Sequence, residues 1–138
     1  MIVDSSALIA ILRGEAGWQT LRQAIYGTSA AAVPAPVLAE VRIAIAKHGC
    51  EASQAAEALI EELASQSVPF VAFEKRHADL IAPARDRHGK GNGRGGLLNF
   101  GDLMVYAIAK ERGEAVLCTG RDFASTDVEI HPSSRLDP

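Results

Sequence analysis

Met1-Ile-Val-Asp-Ser-Ser-Ala-Leu-Ile-Ala-Ile-Leu12 decides the architecture. Met1–Val3 is a short apolar run that stops at an acid, Asp4, and reads as a first strand. A serine, Ser5 or Ser6, then stands where a hydroxyl can cap a first helical turn, and Ala7–Leu12 supplies the helix. Gly14 to Gly17 breaks it. A strand that ends on a carboxylate and runs straight into a helix is the opening unit of a parallel sheet.

The same alternation continues outward. Trp18 to Ile25 predicts a second helix, with Trp18, Leu21 and Ile25 on one stripe. Ala30–Val33 reads as a strand ended by Pro34 and Pro36, and Pro36 can open the next helix. That helix carries Val37, Leu38, Val41 and Ile45, and Gly49 is read as its stop. Glu51 to Ala64 is helical, with Ala55, Leu59, Ile60 and Leu63 as its apolar positions. Val68 to Phe73 is β-prone. His77 to His88 reads as a helix weakened by Pro83. Gly89–Gly96 is a loop. Asp102 to Arg112 is a helix stopped by Gly113, Ala115–Thr119 a buried strand, and Val128–Ile130 a last short one. Pro132 onward reads as a tail. The pattern predicts an α/β fold: a mainly parallel sheet flanked by helices, with ligands bound beyond the carboxyl ends of the strands.

Bulk properties bound the function. The 138 residues suit one domain, 1–138. Hydrophobic residues are 48% and charged residues 22%, an ordinary globular balance that argues against disorder. No apolar run approaches the ~20 residues of a membrane span. Met1 is followed by no basic segment or cleavage site, so secretion is unsupported and a cytoplasmic location is expected. Two cysteines, Cys50 and Cys118, lack metal-type spacing and read as small apolar residues. A net charge of −3 excludes a strongly basic nucleic-acid binder, but not an enzyme that meets phosphate through metal ions.

Four acids fall near one edge of such a sheet. Asp4 ends the first strand, Glu40 lies early in the helix after the second, Asp102 opens a helix, and Asp122 follows the strand Ala115–Thr119. Gathered carboxylates repel, and burial aggravates the repulsion. A hard divalent cation removes the problem, and can also generate hydroxide and neutralise a phosphodiester. Each acid has a plainer reading: a turn or cap for Asp4, an exposed helix face for Glu40, a helix-dipole partner for Asp102, a polar loop for Asp122.

Met1-Ile-Val-Asp-Ser-Ser-Ala-Leu8, Glu40 within Leu38-Ala-Glu-Val41, and Asn99-Phe-Gly-Asp102 followed by Tyr106-Ala-Ile-Ala-Lys110 resemble the PIN domain, and within it the VapC toxins of VapBC toxin–antitoxin pairs. Thr119-Gly-Arg-Asp-Phe123 and Thr126-Asp127 extend the resemblance over nearly the whole chain. It implies a PIN-like fold and an endoribonuclease toxin that uses Mg²⁺ or Mn²⁺. Asp4 and Asp102 match the family's metal ligands and Glu40 its third acid. Where many relatives carry an acid or amide this chain has Arg121, so the fourth acid, Asp122, stands one position on. Ser6 matches a hydroxyl beside the pocket. A homodimer and a cognate VapB-type antitoxin are also implied.

Other features are weighed against this. Gly91-Asn-Gly-Arg-Gly-Gly96 formally fits a dinucleotide fingerprint but follows a helix rather than a strand, which removes that reading. It is either a flexible loop or a frame for Arg85, Arg87, Lys90 and Arg94 to meet RNA phosphates. His48, His77, His88 and His131 are scattered and read as structural or solvent-facing. Trp18, Tyr26 and Phe100 read as core or dimer residues rather than base platforms, because aromatics are only 5% of the chain. A phosphate-signalling, receiver-like module would need a lysine after one of the last strands, where Gly120 and Arg121 stand. A non-catalytic interaction protein would keep the fold and leave RNA uncut.

Overall fold

The structure is a computed structural model that describes residues 1–137. Its elements alternate as expected. They are β1 (Ile2–Val3), α1 (Ser5–Arg13), α2 (Trp18–Tyr26), β2 (Val33–Pro34), α3 (Ala35–Ala46), α4 (Cys50–Ser65), β3 (Phe70–Val71), α5 (Lys75–Ala78), α6 (Ile81–His88), α7 (Phe100–Arg112) and β4 (Val116–Leu117). No helix among these residues is long and apolar enough to cross a membrane.

All strand pairs are parallel. β1 pairs β4 with Ile2 opposite Val116 and Val3 opposite Leu117, and β2 pairs β3 with Val33 opposite Phe70. Ile2 and Ala32 join the two pairs, through Val3 N–H donating to Ala32 and Ala32 N–H donating to Met1, both at 2.9 Å. Ile130 adds a bridge to Val116 on the outer side of β4. The spatial order is therefore β3-β2-β1-β4. The chain builds in one direction from β1 to β3, then crosses back to place β4 on the other side of β1. Strand order reverses between β1 and β4, which creates a crevice at their carboxyl ends.

The central strands read as continuous apolar runs because both faces are covered. Ile2, Val3, Leu117, Leu8, Leu21 and Ile108 are fully buried, each contributing roughly 1.5–3 kcal/mol of transfer free energy. α1 packs on α2, α3 and α4, and α7 on α3, α5 and α6.

Several expectations need correction. Asp4 itself, not Ser5 or Ser6, caps α1: its backbone is extended and its carboxylate accepts from Ser6 N–H at 3.0 Å. Gly49 does not stop α3; it precedes α4 as that helix's cap residue, and α3 ends at Lys47. The buried stripe of α4 runs through Ala56 rather than Ala55, because Ala56, Leu59, Ile60 and Leu63 share one face at i, i+3, i+4 and i+7. His77 to His88 splits into α5 and α6 at Asp79–Leu80, since Pro83 has no N–H to bond back to Asp79. α7 begins at Phe100, so Asp102 is its third residue, not its first. Cys50 is exposed, while Cys118 is buried. The segment after Pro132 is not a loose tail. β4 has a second edge to satisfy, and Arg135 N–H donates to Cys118 (3.0 Å) while Gly120 N–H donates to Arg135 (2.8 Å).

The glycine loop is braced by hydrogen bonds centred on Asn92. The Asn92 carboxamide accepts from Arg94 N–H (2.8 Å) and Gly96 N–H (3.2 Å) and donates to the Asp86 carbonyl (3.1 Å). Lys90 N–H donates to Leu98 (2.8 Å) and Leu98 N–H to His88 (3.0 Å), which closes its ends.

Candidate metal centre

The crevice between β1 and β4 is where the acids meet. Asp4 leaves β1 at its carboxyl end, and its side chain is buried. One oxygen, Oδ2, accepts from Ser6 N–H (3.0 Å) and Ser6 O–H (2.5 Å). Ser6 Oγ in turn accepts from Thr119 N–H at 3.0 Å, just beyond β4. Ser6 thus ties the two strand ends together and sets the orientation of Asp4. The other oxygen, Asp4 Oδ1, is buried with no hydrogen-bond partner.

Asp102 is held from the first turn of α7. Asn99 and Asp102 form a reciprocal cap: Asn99 Oδ1 accepts from Asp102 N–H (2.9 Å), and Asp102 Oδ2 accepts from Asn99 N–H (3.0 Å). Glu40 reaches in from α3, half-buried, with Oε1 buried and unpartnered. Its carboxylate lies against the backbone of Gly101. A Cβ at position 101 would overlap it, with Oε1 at 2.8 Å. Asp122 is exposed at the rim.

Electrostatics bind the four into one group. Burial raises the Asp4 carboxyl above its ordinary range, hydrogen bonds from Ser6 and Ser5 pull it back, and Asp122 raises it further. Glu40 is pushed up to about 7, first by burial and then by Asp4 and Asp102. Asp102 is also raised to about 7, by burial against the opposing Asn99 hydrogen bond, and further by Asp4 and Asp122. Without a cation, the site holds protons at neutral pH.

The donor set fits a hard divalent ion. All candidate ligands are carboxylate oxygens, and two of them are buried and lack any partner. Among the described residues no group of three or more acidic, histidine or cysteine side chains stands close enough together to cage a metal ion. Mg²⁺ needs no such cage, being held typically by one or two carboxylates with waters completing an octahedron. A cleft of about 480 Å³ lined by Arg42, Cys50, Ser53, Gln54 and Glu57 includes none of the four acids.

The remaining candidates have structural partners. His77 is fully buried, its Nδ1 accepting from Glu74 N–H (2.9 Å) in the cap of α5. His88 packs on the Tyr106 ring at 5.3 Å. Tyr106 O–H and Lys110 both donate to Asp127, at 2.6 and 3.0 Å. Lys110 is therefore committed to Asp127, and Gly120 and Arg121 stand after β4 where the receiver-like alternative needs a lysine. The Cys118 thiol, pushed up to about 12 chiefly by burial, is inert. Gly101 and Asn99 escaped the sequence reading as site residues. The Asn-x-x-Asp spacing of a reciprocal cap was the available signal for Asn99, whereas nothing local announces that Gly101 faces Glu40.

A family model for the PIN domain matches residues 1–129. Ribonuclease VapC36 of Mycobacterium tuberculosis is 39% identical over 132 residues, covering 94% of this chain and 92% of its own. The structure is similar to that of Mycobacterium tuberculosis VapC20, a sarcin–ricin loop cleaving toxin (TM-score 0.69, 23% identity, 95% and 98% of the two chains). It is also similar to a chain of VapBC2 from Rickettsia felis bound to promoter DNA (TM-score 0.68, 12% identity, 99% and 96%). The last two establish the shared fold. Taken with the model match over nearly the whole length, they leave one assignment: the chain belongs to the PIN domain family.

Proposed function

We propose that this protein is a divalent-metal-dependent endoribonuclease and the toxin of a VapBC-type pair. The observation that carries this reading is the group of mutually coupled carboxylates at the β1/β4 crevice, with unpartnered oxygens on Asp4 and Glu40. Asp4 and Asp102 would hold the ion, with Glu40 as third acid and Asp122 at the rim. Mg²⁺ fits the all-oxygen donor set, and Mn²⁺ would substitute. Such an ion, when bound, activates water and neutralises charge on the phosphodiester. The chain's own part is to orient and to hold protons. Ser6 aims Asp4, the Asn99 cap aims Asp102, and Gly101 leaves room for Glu40. Glu40, half-buried beside Asp4 and Asp102, is placed to accept a proton from attacking water.

The relatives named as ribonucleases and the VapBC complexes among similar structures support an RNA substrate and an antitoxin partner; action in the cytoplasm belongs to the same proposal. A homodimer is part of the same reading. The test is cleavage of mixed cellular RNA by purified protein in Mg²⁺ or Mn²⁺, beside Asp4→Asn, Asp102→Asn and an EDTA control. Cleavage by the wild type alone, with all proteins folded by circular dichroism, supports the reading. Equal cleavage by either variant overturns the assignment of the acids.

A further inference from the structure

Phe100 is neither a core residue nor half-buried: it is 71% exposed on the first turn of α7. Both its chain neighbours belong to the acidic site. Asn99 caps Asp102 through a reciprocal pair of hydrogen bonds, and the Gly101 backbone touches the Glu40 carboxylate. The ring therefore stands at the N-terminal end of α7, two residues before Asp102. Exposing a phenyl ring to water is unfavourable and contributes nothing to the fold.

The loop and helix that precede it carry exposed cations. Lys90 and Arg94 are exposed on the loop that ends at Leu98, and Arg85 and Arg87 are exposed on α6. The Lys90–Leu98 hydrogen bond draws Lys90 alongside the strand of chain that leads into Phe100. Arg94 is pinned to Asp86 at 3.0 Å, and Asn92 fixes the loop between them. An exposed aromatic ring and exposed cations on neighbouring backbone, in the chain that leads into a site for phosphodiester chemistry, are the elements that bind single-stranded nucleic acid.

We propose that Phe100 is a stacking platform for a base flanking the scissile phosphodiester of single-stranded RNA, with Lys90 meeting an adjacent phosphate. This rests on the ribonuclease reading and extends it to the shape of the substrate. A second copy of this chain is the competing occupant. One ring with Leu97 (45% exposed) beside it is far short of the roughly 800 Å² per partner of a stable interface, whereas it matches the area of a single base.

The test compares Phe100→Ala, Phe100→Leu and Phe100→Trp with wild type on bulk RNA in Mg²⁺. Stacking predicts a roughly 10–100-fold loss for Phe100→Ala, carried by KM, a smaller rescue by leucine, and near-wild-type rates for tryptophan. Phe100→Trp also reports directly. A single-stranded oligo(A) 12-mer should quench its added fluorescence above the Trp18 background, and a duplex of equal length should not. Unchanged kinetics in Phe100→Ala beside an active wild type overturn the proposal. So does a loss of activity accompanied by a smaller particle on size exclusion, which assigns the ring to a contact between copies. If wild type cuts no RNA, the ribonuclease reading has failed by itself. The quenching experiment then decides stacking alone, with absence of quenching overturning it.

Discussion

Glu40→Gln should make the metal-free protein more stable while removing its activity. Glu40 titrates near about 7 in the fold, against an ordinary 4.5, because burial and the charges of Asp4 and Asp102 oppose its ionisation. Between those two values the folded state holds a proton that the unfolded chain has released. Stability of the wild type therefore falls as pH rises through that window, by about 1.4 kcal/mol for each pH unit. The full span would be about 3 kcal/mol. Glu40 is only half-buried, and solvent screening reduces this to roughly 1–2 kcal/mol. Glutamine keeps the shape and lacks the titration. Above pH 7.5 the variant should melt roughly 3–8 °C higher than wild type in EDTA. The advantage should shrink toward zero near pH 4.5, and Mg²⁺ should reduce it by stabilising the wild type more than the variant. Thermal denaturation at pH 5 and pH 8, with and without metal, reads all four conditions. A variant that melts lower than wild type at pH 8 in EDTA would refute the reasoning. So would a gain that is equal at both pH values.

Four further outcomes follow from the same geometry. Ser6→Ala removes the hydroxyl between Asp4 and Thr119, so cleavage should fall roughly 10–100-fold with only about 1 kcal/mol lost in denaturant unfolding. Gly101→Ala should displace the flexible Glu40 carboxylate, lowering kcat about 100-fold without lowering Tm, since alanine favours the helix. Mg²⁺ affinity should weaken from pH 8 to pH 6, because Glu40 and Asp102 must give up protons held near about 7; calorimetry in two buffers of different ionisation enthalpy would show proton release, and pH-independent binding would contradict it. Asn92→Ala should speed amide exchange at Arg94 and Gly96 while leaving the exchange of β1 unchanged, as judged by mass spectrometry of deuterated peptides.

Local chemistry made much of this legible in one dimension. Met1–Val3 is wholly apolar and ends on a carboxylate, so strand, acid and helix could be read in order. Gly113 takes the left-handed conformation (φ 64°) at the end of α7 that its position implied. Pro83 marked the weak point of its segment, and the chain breaks one turn before it, at Asp79–Leu80. All four acids were proposed from where they fall relative to strand ends and helix starts.

What the sequence by itself determined was the alternation of elements and the positions of the four candidate acids along them, since periodicity, caps and breakers act over a few residues. Only the tertiary structure decided which side of β1 receives β4. That choice creates the crevice, brings Thr119 to Ser6, and makes the acids raise one another's pKa values. It also decided that Phe100 faces water and that Gly101 meets Glu40. These are consequences of packing between segments some 60 or more residues apart in sequence, as Gly101 and Glu40 are, and no local pattern encodes a contact of that range.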